Sequence, residues 1–346
     1  DWLMPALDGI ALCKRIRAAA LPGGYVYLIL LTSKTEREDR RAGLAAGADD
    51  FLVKPPDRDS LTERLGVAER ILTMEAKLRE ANELLDRRRQ HEIEIGGTIQ
   101  RALLMARAPE ANGRFEFAVM NVPSSQIDGD FFDFFVHQQG VVDVFVGDAM
   151  GKGVPAALVG AGTKSYMLRA LGTLLAEGDR SRLPRPVEIV QKLHDGLSEQ
   201  LMRLSSFVTL GYARLDAIAR TATFVDAGHT KSIHLRNADG STETVDGGHF
   251  PIGFTEKEVY GEIVRRFDDG DLFCFYSDGV TEAQSREGEL FGIERLTALL
   301  REHHSESPSG LLYRLREAVR EHTGDRPLDD DFTCVMVRVG GGAVGW

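Results

Sequence analysis

The sequence has little cysteine: Cys13, Cys274 and Cys334 are odd in number, far apart along the chain, and include no CxxC pair. Neither a disulfide framework nor a thiolate zinc site is supported, and the three are expected to be reduced, buried thiols. Long apolar runs are also missing. Nothing approaches the roughly 18–20 residues needed to cross a bilayer, and the opening DWLMPALDGI lacks the basic start and apolar centre of a signal peptide. A cytoplasmic location and no membrane partner follow as expectations. No basic stretch with interleaved aromatics offsets the net charge of −11, which repels nucleic acid and acidic membranes. The expected partner is another protein, a metal or a small ligand. GxSxG and HExxH motifs are absent. GDAMGKG at 147–153 is superficially like a nucleotide-binding loop, but its glycines are too close together and no Ser or Thr follows Lys152. It reads as a metal loop.

What is present is core-forming: 346 residues, 43% hydrophobic and 27% charged, enough for two domains and a connector. Residues 1–56 alternate helix and strand patterns: an amphipathic stretch near 8–20, the apolar run YVYLILLTS at 25–33, a polar helix near 36–46 and the strand FLVKP at 51–55. Alternating β and α implies an α/β parallel sheet covered on both faces, here incomplete with two strands. The chain opens at Asp1 without Met, inside what reads as a strand-to-helix loop, so the sequence is expected to be a fragment whose beginning is missing. Residues 57–104 have helix composition, and Val67, Ile71, Met74, Leu78, Ala81 and Leu85 fall at alternating spacings of four and three. Two readings stand: a connector helix lying on one of its own domains, or the seam of a homodimer. Residues 105–340 carry strands such as FFDFFVH, VVDVFVGD, FVTLGYARLD, DLFCFYSD and FTCVMVRV, joined by tight turns, with helices near 154–176, 186–203 and 308–322. Strand blocks with grouped helices imply an α+β layered domain.

With 53 acidic residues, most carboxylates mean nothing, and Asp-Gly is a common turn dipeptide. Position in the strands singles out four. Asp130 begins FFDFFVH and Asp148 ends VVDVFVGD; both are equidistant from Gln139, so a symmetric hairpin sets them side by side. Asp278 ends DLFCFYSD and Asp330 precedes FTCVMVRV. If those strands pair, all four carboxylates gather on a single edge of the sheet. Asp329 and Asp331 flank Asp330, and a one-residue shift would exchange their roles. Such a cluster opposes its own ionisation unless a cation is there, and hard oxygen ligands suit Mg²⁺ or Mn²⁺. Two such ions could activate water for phosphoryl displacement without a protein nucleophile.

NVPSSQIDGDFFDFF, VGDAMGKGVPAALVG, FVTLGYARLD, DAGHTKS, FCFYSDGVTEA with FG at 291–292, and DDDFT resemble, in order, the motifs of bacterial PPM-type (PP2C-like) phosphatases of the sporulation and stress-regulator branch, over nearly all of 98–338. The resemblance implies a four-layer αββα sandwich and a metal-dependent phosphoserine/phosphothreonine protein phosphatase acting on small anti-anti-sigma proteins. Carried over by motif, Asp130, Asp148, Asp278 and Asp330 would hold two Mn²⁺ or Mg²⁺ ions, with Ala149 giving a backbone carbonyl. Asp128, Lys231 and the SDGV and DAGHTKS variants depart from the pattern without removing a ligand. The first segment resembles the second half of a receiver domain. That likeness makes Asp1 the phosphoacceptor, Thr32 the switch hydroxyl, Phe51 the switch aromatic and Lys54 the phosphate-binding lysine, with Lys54–Pro55 cis and a sensor histidine kinase upstream. The acidic pair that holds Mg²⁺ in receivers would lie before Asp1, so this segment as given is not expected to accept phosphate or fold alone. Against the enzyme stands a catalytically inactive phosphatase fold that binds a regulator. Keeping all four aspartates argues against it.

Overall fold

The computed structural model describes residues 1–19, 24–33, 37–104, 106–110, 114–124, 127, 129–138, 140–178 and 182–340, with the side chains of all of these except 37, 99–104 and 138. The chain forms two compact units, Asp1–His91 and Glu92–Trp346. No helix among the described residues is long and apolar enough to cross a membrane.

In the first unit, α1 (Gly9–Ala18) starts where the Asp8 carboxylate accepts from the Ala11 N–H at 2.6 Å, a side-chain cap on an otherwise orphan donor. It is followed by β1 (Ile29–Thr32), α2 (Arg37–Ala45) and β2 (Asp50–Val53). The two strands pair in parallel from Ile29↔Asp50 to Thr32↔Val53. Trp2, Cys13, Leu30, Ala46, Ala48 and Phe51 make a small core beneath them. α3 (Arg58–Leu104) is continuous through the segment read as a connector, and the division between the units falls within it. Met74, Leu78 and Leu85 of the 3–4 stripe stand 69%, 58% and 61% exposed on α3, while Val67 is half-buried.

The second unit runs β3 (Phe115–Val122), β4 (Asp130–Gln138), β5 (Val141–Ala149), α4 (Val154–Glu177), α5 (Pro186–Arg203), β6 (Val208–Asp216), β7 (Thr221–Ala227), β8 (Ser232–Leu235), β9 (Thr242–Val245), β10 (Ile263–Arg266), β11 (Leu272–Tyr276), α6 (Asp278–Thr281), α7 (Gly292–Glu302), α8 (Pro308–Thr323) and β12 (Phe332–Val339). Two five-stranded antiparallel sheets result, ordered β10-β7-β6-β5-β4 and β3-β12-β11-β8-β9. Period-two alternation sorts the side chains. Val142, Val144 and Val146 of β5 join Phe273, Phe275, Val335 and Val337 between the sheets. Phe145 of β5 and Tyr212 of β6 face outward to Met167, Ile189 and Leu193 of α4 and α5. On the far side, Cys274, Cys334 and Met336 pack on Leu296, Leu300, Leu311 and Leu315 of α7 and α8. The result is an αββα sandwich. All three cysteines are buried free thiols.

The expectation of one sheet edge needs correction. β4 and β5 belong to one sheet, β11 and β12 to the other, so the four aspartates lie at one end of the sandwich, where the two sheets face each other. β3, β9 and β10 are edge strands and add to those read from sequence, as does α7.

Candidate functional site: an acidic end of the sandwich

Asp130 and Asp148 are direct cross-strand partners, and the register is unbroken from there to Val136↔Val142. The shift next to the turn lies beyond Val136; Gln139, the expected centre of the hairpin, lies outside the described residues. Because Asp130 shares a strand face with Phe132, and Asp148 with Val146 and Val144, both carboxylates point between the sheets. Asp130 is buried, with the Ser277 and Thr333 hydroxyls near its carboxyl and Oδ2 left without a hydrogen-bond partner. Burial, then the neighbouring Asp148, push its carboxyl well above the usual range. The Asp148 carboxyl is pushed up to about 7 by burial, then by Asp278, Asp330 and Asp331.

Gly129 lets this hairpin end close on the loop after β5. A Cβ there would lie 2.7 Å from Asp148 Oδ1, 3.0 Å from the Ala149 carbonyl oxygen and 3.6 Å from that of Gly151. Three oxygens therefore converge on one small space, and any residue but glycine would fill it.

The second pair is brought together by backbone contact. A Cβ on Gly279 would come within 2.2 Å of the Asp331 carbonyl, so only glycine lets the Asp278 turn rest on the Asp330–Asp331 backbone. The Ser277 hydroxyl donates to that same carbonyl at 2.9 Å and accepts from the Thr333 N–H at 3.0 Å. Asp278 is raised by burial, then by Glu282 and Asp330. The flanking acids differ in role. Asp331 is buried and accepts from the Ser124 N–H and hydroxyl, each at 2.8 Å, and from the Gly129 N–H at 3.0 Å, which fastens the loop before β4. The Asp330 side chain is 47% exposed, and its Oδ2 lies 3.3 Å from the Lys152 ammonium, which also bonds the Asp329 carbonyl.

Among the described residues, no three acidic, histidine or cysteine side chains already form a closed metal-binding group. Asp330 is engaged instead with Lys152. The donor set nonetheless fits a hard divalent cation: an orphaned buried carboxylate oxygen, a cradle of carboxylate and carbonyl oxygens, and carboxyls that repel one another. Residues the motif reading did not single out also line this end. Ser277 and Thr333 stand beside Asp130. Thr209, the cross-strand neighbour of Asp148, bonds His229 Nδ1 at 2.8 Å, and burial lowers that imidazole to about 4. Their only sequence signal is adjacency to the motif aspartates and the histidine of DAGHTKS. Asp128 lies outside the described residues, and Lys231 pairs with Asp246 at 2.9 Å.

In the first unit, the Lys54 ammonium bonds the Asp1 carboxylate and the Lys54 N–H donates to the Thr32 carbonyl at 2.8 Å. Thr32 is buried at the end of β1, Arg40 lies over the Phe51 ring at 4.0 Å, and Lys54–Pro55 is cis.

Residues 138–340, more than half of the chain, match the family model of stage II sporulation protein E, SpoIIE. The chain belongs to the SpoIIE family. Residues 1–66 of this SpoIIE-family chain match the response regulator receiver domain. Phosphoserine phosphatase RsbU of Bacillus subtilis is 27% identical over 249 residues, which cover 71% of this chain and 70% of RsbU. Response regulator RppA of Synechocystis is 41% identical over 70 residues, 20% of this chain and 29% of RppA. The fold of the SiaA-PP2C domain of Pseudomonas aeruginosa superposes with a TM-score of 0.63 at 22% identity, covering 73% of this chain and 98% of that domain. The SpoIIE-family chain is thus a PP2C-type serine/threonine protein phosphatase, a hydrolase, preceded by receiver-domain sequence.

Proposed function

We propose that the acidic end of the sandwich is the hydrolytic centre, and that it removes phosphate from phosphoserine or phosphothreonine on a regulator protein of the anti-anti-sigma type. The observation that carries this reading is the cross-strand Asp130–Asp148 pair, with Asp130 buried and Asp148 pushed up to about 7 by burial and then by its acidic neighbours. Asp130, Asp148, Asp278, Asp330 and the Ala149 carbonyl would hold two Mn²⁺ or Mg²⁺ ions. When bound, such ions activate water and offset the charge of the phosphoryl oxygens. The chain's own part is positional. The two sheets fix the aspartates from opposite sides, Ser277 and Thr333 stand beside the Asp130 carboxylate, and Gly129 and Gly279 hold the backbone close enough for carbonyl donors to take part. The name of RsbU, phosphoserine phosphatase, supports the substrate class. The exposed Met74, Leu78 and Leu85 support a homodimer seam along 57–104, through which a receiver fed at Asp1 by a histidine kinase would act on a cytoplasmic phosphatase. The domain divisions are read as 1–56, 57–104 and 105–340.

Turnover of p-nitrophenyl phosphate is expected with Mn²⁺, to vanish with a chelator, and to return when the ion is restored. Turnover indifferent to the chelator would end the metal reading.

A further inference from the structure

The acidic end poses a charge problem for its own substrate. A phosphoserine dianion has to approach at least five aspartates, Asp130, Asp148, Asp278, Asp330 and Asp331, and the carboxyls of Asp130, Asp148 and Asp278 are already raised by burial and by acidic neighbours. Two divalent ions would offset much of that charge, and a cation of the chain would add a further hydrogen-bond donor to the phosphoryl oxygens.

The structure places a lysine at this end of the sandwich. Lys152 sits in the loop between β5 and α4, one residue beyond Gly151 and three beyond Ala149, and its ammonium rests on Asp330 Oδ2 at 3.3 Å and on the Asp329 carbonyl. Its side chain is 60% exposed. The glycines on either side, Gly151 at φ +104 and Gly153 at φ +75, have no atom within 4 Å of where a Cβ would stand, so the loop is open on both sides of the lysine. An ion pair this exposed contributes little. Asp330 therefore holds the ammonium too weakly to keep it from a dianion.

We propose that Lys152 is the phosphate-recognition residue of this phosphatase: its ammonium leaves Asp330 and bonds the phosphoryl oxygens of the bound phosphoserine. Lysine suits this role because it is a compact point charge on a flexible stem, able to serve Asp330 and a phosphate in turn. The move also frees a carboxylate oxygen of Asp330. The inference rests on the proposed hydrolytic centre and names the residue that selects its substrate's phosphate.

The test uses the full chain with saturating Mn²⁺ and a phosphoserine peptide, comparing wild type, Lys152→Met, Lys152→Arg and Asp148→Asn. Three quantities are read: KM for the peptide, inhibition by inorganic phosphate, and Mn²⁺ affinity by calorimetry. Lys152→Met is expected to weaken both KM and phosphate inhibition about ten-fold, the equivalent of about 1.4 kcal/mol. Mn²⁺ affinity should hold within about two-fold, and Lys152→Arg should recover most of the phosphate inhibition. Unchanged KM and phosphate inhibition in Lys152→Met would overturn the proposal. So would a loss of Mn²⁺ affinity that accounts for the whole change in KM, because Lys152 would then act only by placing Asp330. Asp148→Asn separates this proposal from the one beneath it. If that variant hydrolyses the peptide at the wild-type rate, the hydrolytic centre is wrong; if it is inactive while Lys152→Met behaves as wild type, only the lysine is.

Discussion

Replacing Asp148 with Asn should make the metal-free protein more stable while removing its activity. In the folded chain the Asp148 carboxyl is pushed up to about 7 from 3.8, by burial first and then by Asp278, Asp330 and Asp331. A carboxyl raised by folding binds its proton more tightly in the native state. Its effect on stability is therefore small below the unfolded value near 4, grows as a penalty while pH rises from about 4 to about 7, and is constant above that. Three pKa units correspond to about 4 kcal/mol. Asp130 and Asp278 are pushed the same way and share the strain, so relieving one member returns about 2–4 kcal/mol. For a domain of this size that is a rise of about 5–10 °C in the melting midpoint. Circular dichroism melts in chelator at pH 8 should show Asp148→Asn above wild type, and at pH 5 the gap should shrink to under about 2 kcal/mol. Adding Mn²⁺ should stabilise the wild type more than the variant, because only the wild type keeps the full donor set. A variant that melts at or below wild type at pH 8, or a gap that is the same at both pH values, would refute the electrostatic reasoning.

A second buried network makes an opposite prediction. Asp143 is 0% exposed and is held below its usual range, against the burial penalty, by hydrogen bonds from Arg214 and His137, with the guanidinium at 2.6 and 2.7 Å. Arg214→Leu should cost about 3–5 kcal/mol at neutral pH, with most of it regained in Asp143→Leu/Arg214→Leu, as urea titrations would show. Because this carboxyl is lowered, the pair's contribution is present above about pH 4 and disappears as pH falls through the folded value. Gly279→Ala would drive a methyl to 2.2 Å from the Asp331 carbonyl, so hydrolysis should fall at least about ten-fold while Mn²⁺ affinity, followed by calorimetry, drops with it. Asp330→Asn and Asp331→Asn should differ in kind. The first should keep its melting midpoint within about 2 °C and lose activity. The second should lose about 1.5–3 kcal/mol of stability, because Asp331 accepts three hydrogen bonds that fasten the loop before β4.

The pairing of Asp130 with Asp148 was legible in the sequence because hairpin pairing is local. Residues 130 and 148 are equidistant from 139, and the irregularity at Val136/Gln138 sits next to the turn, where it leaves the far end of the hairpin in register. Asp278 and Asp330 were legible only if β11 and β12 pair, a long-range contact across α6, α7 and α8 that no local pattern announces. The stacking of two sheets has no signature within either strand set, so a single edge was expected where the sandwich joins two. β9 and β10 escaped because four residues are too few for alternation to register in the sequence, and α7 buries only Leu296 and Leu300. Asp330 and Asp331 differ in burial, which sequence does not display. Lys152 was visible as part of a glycine-rich loop, but its contact with Asp330 depends on where β12 begins.

Phosphate release from a phosphoserine peptide by Asp148→Asn, measured beside wild type under saturating Mn²⁺, tests the central claim most directly. If the acidic end of the sandwich is the hydrolytic centre, the variant should retain less than about one-hundredth of the wild-type rate, a loss of about 3 kcal/mol or more in transition-state stabilisation. A rate within about two-fold of wild type would contradict it.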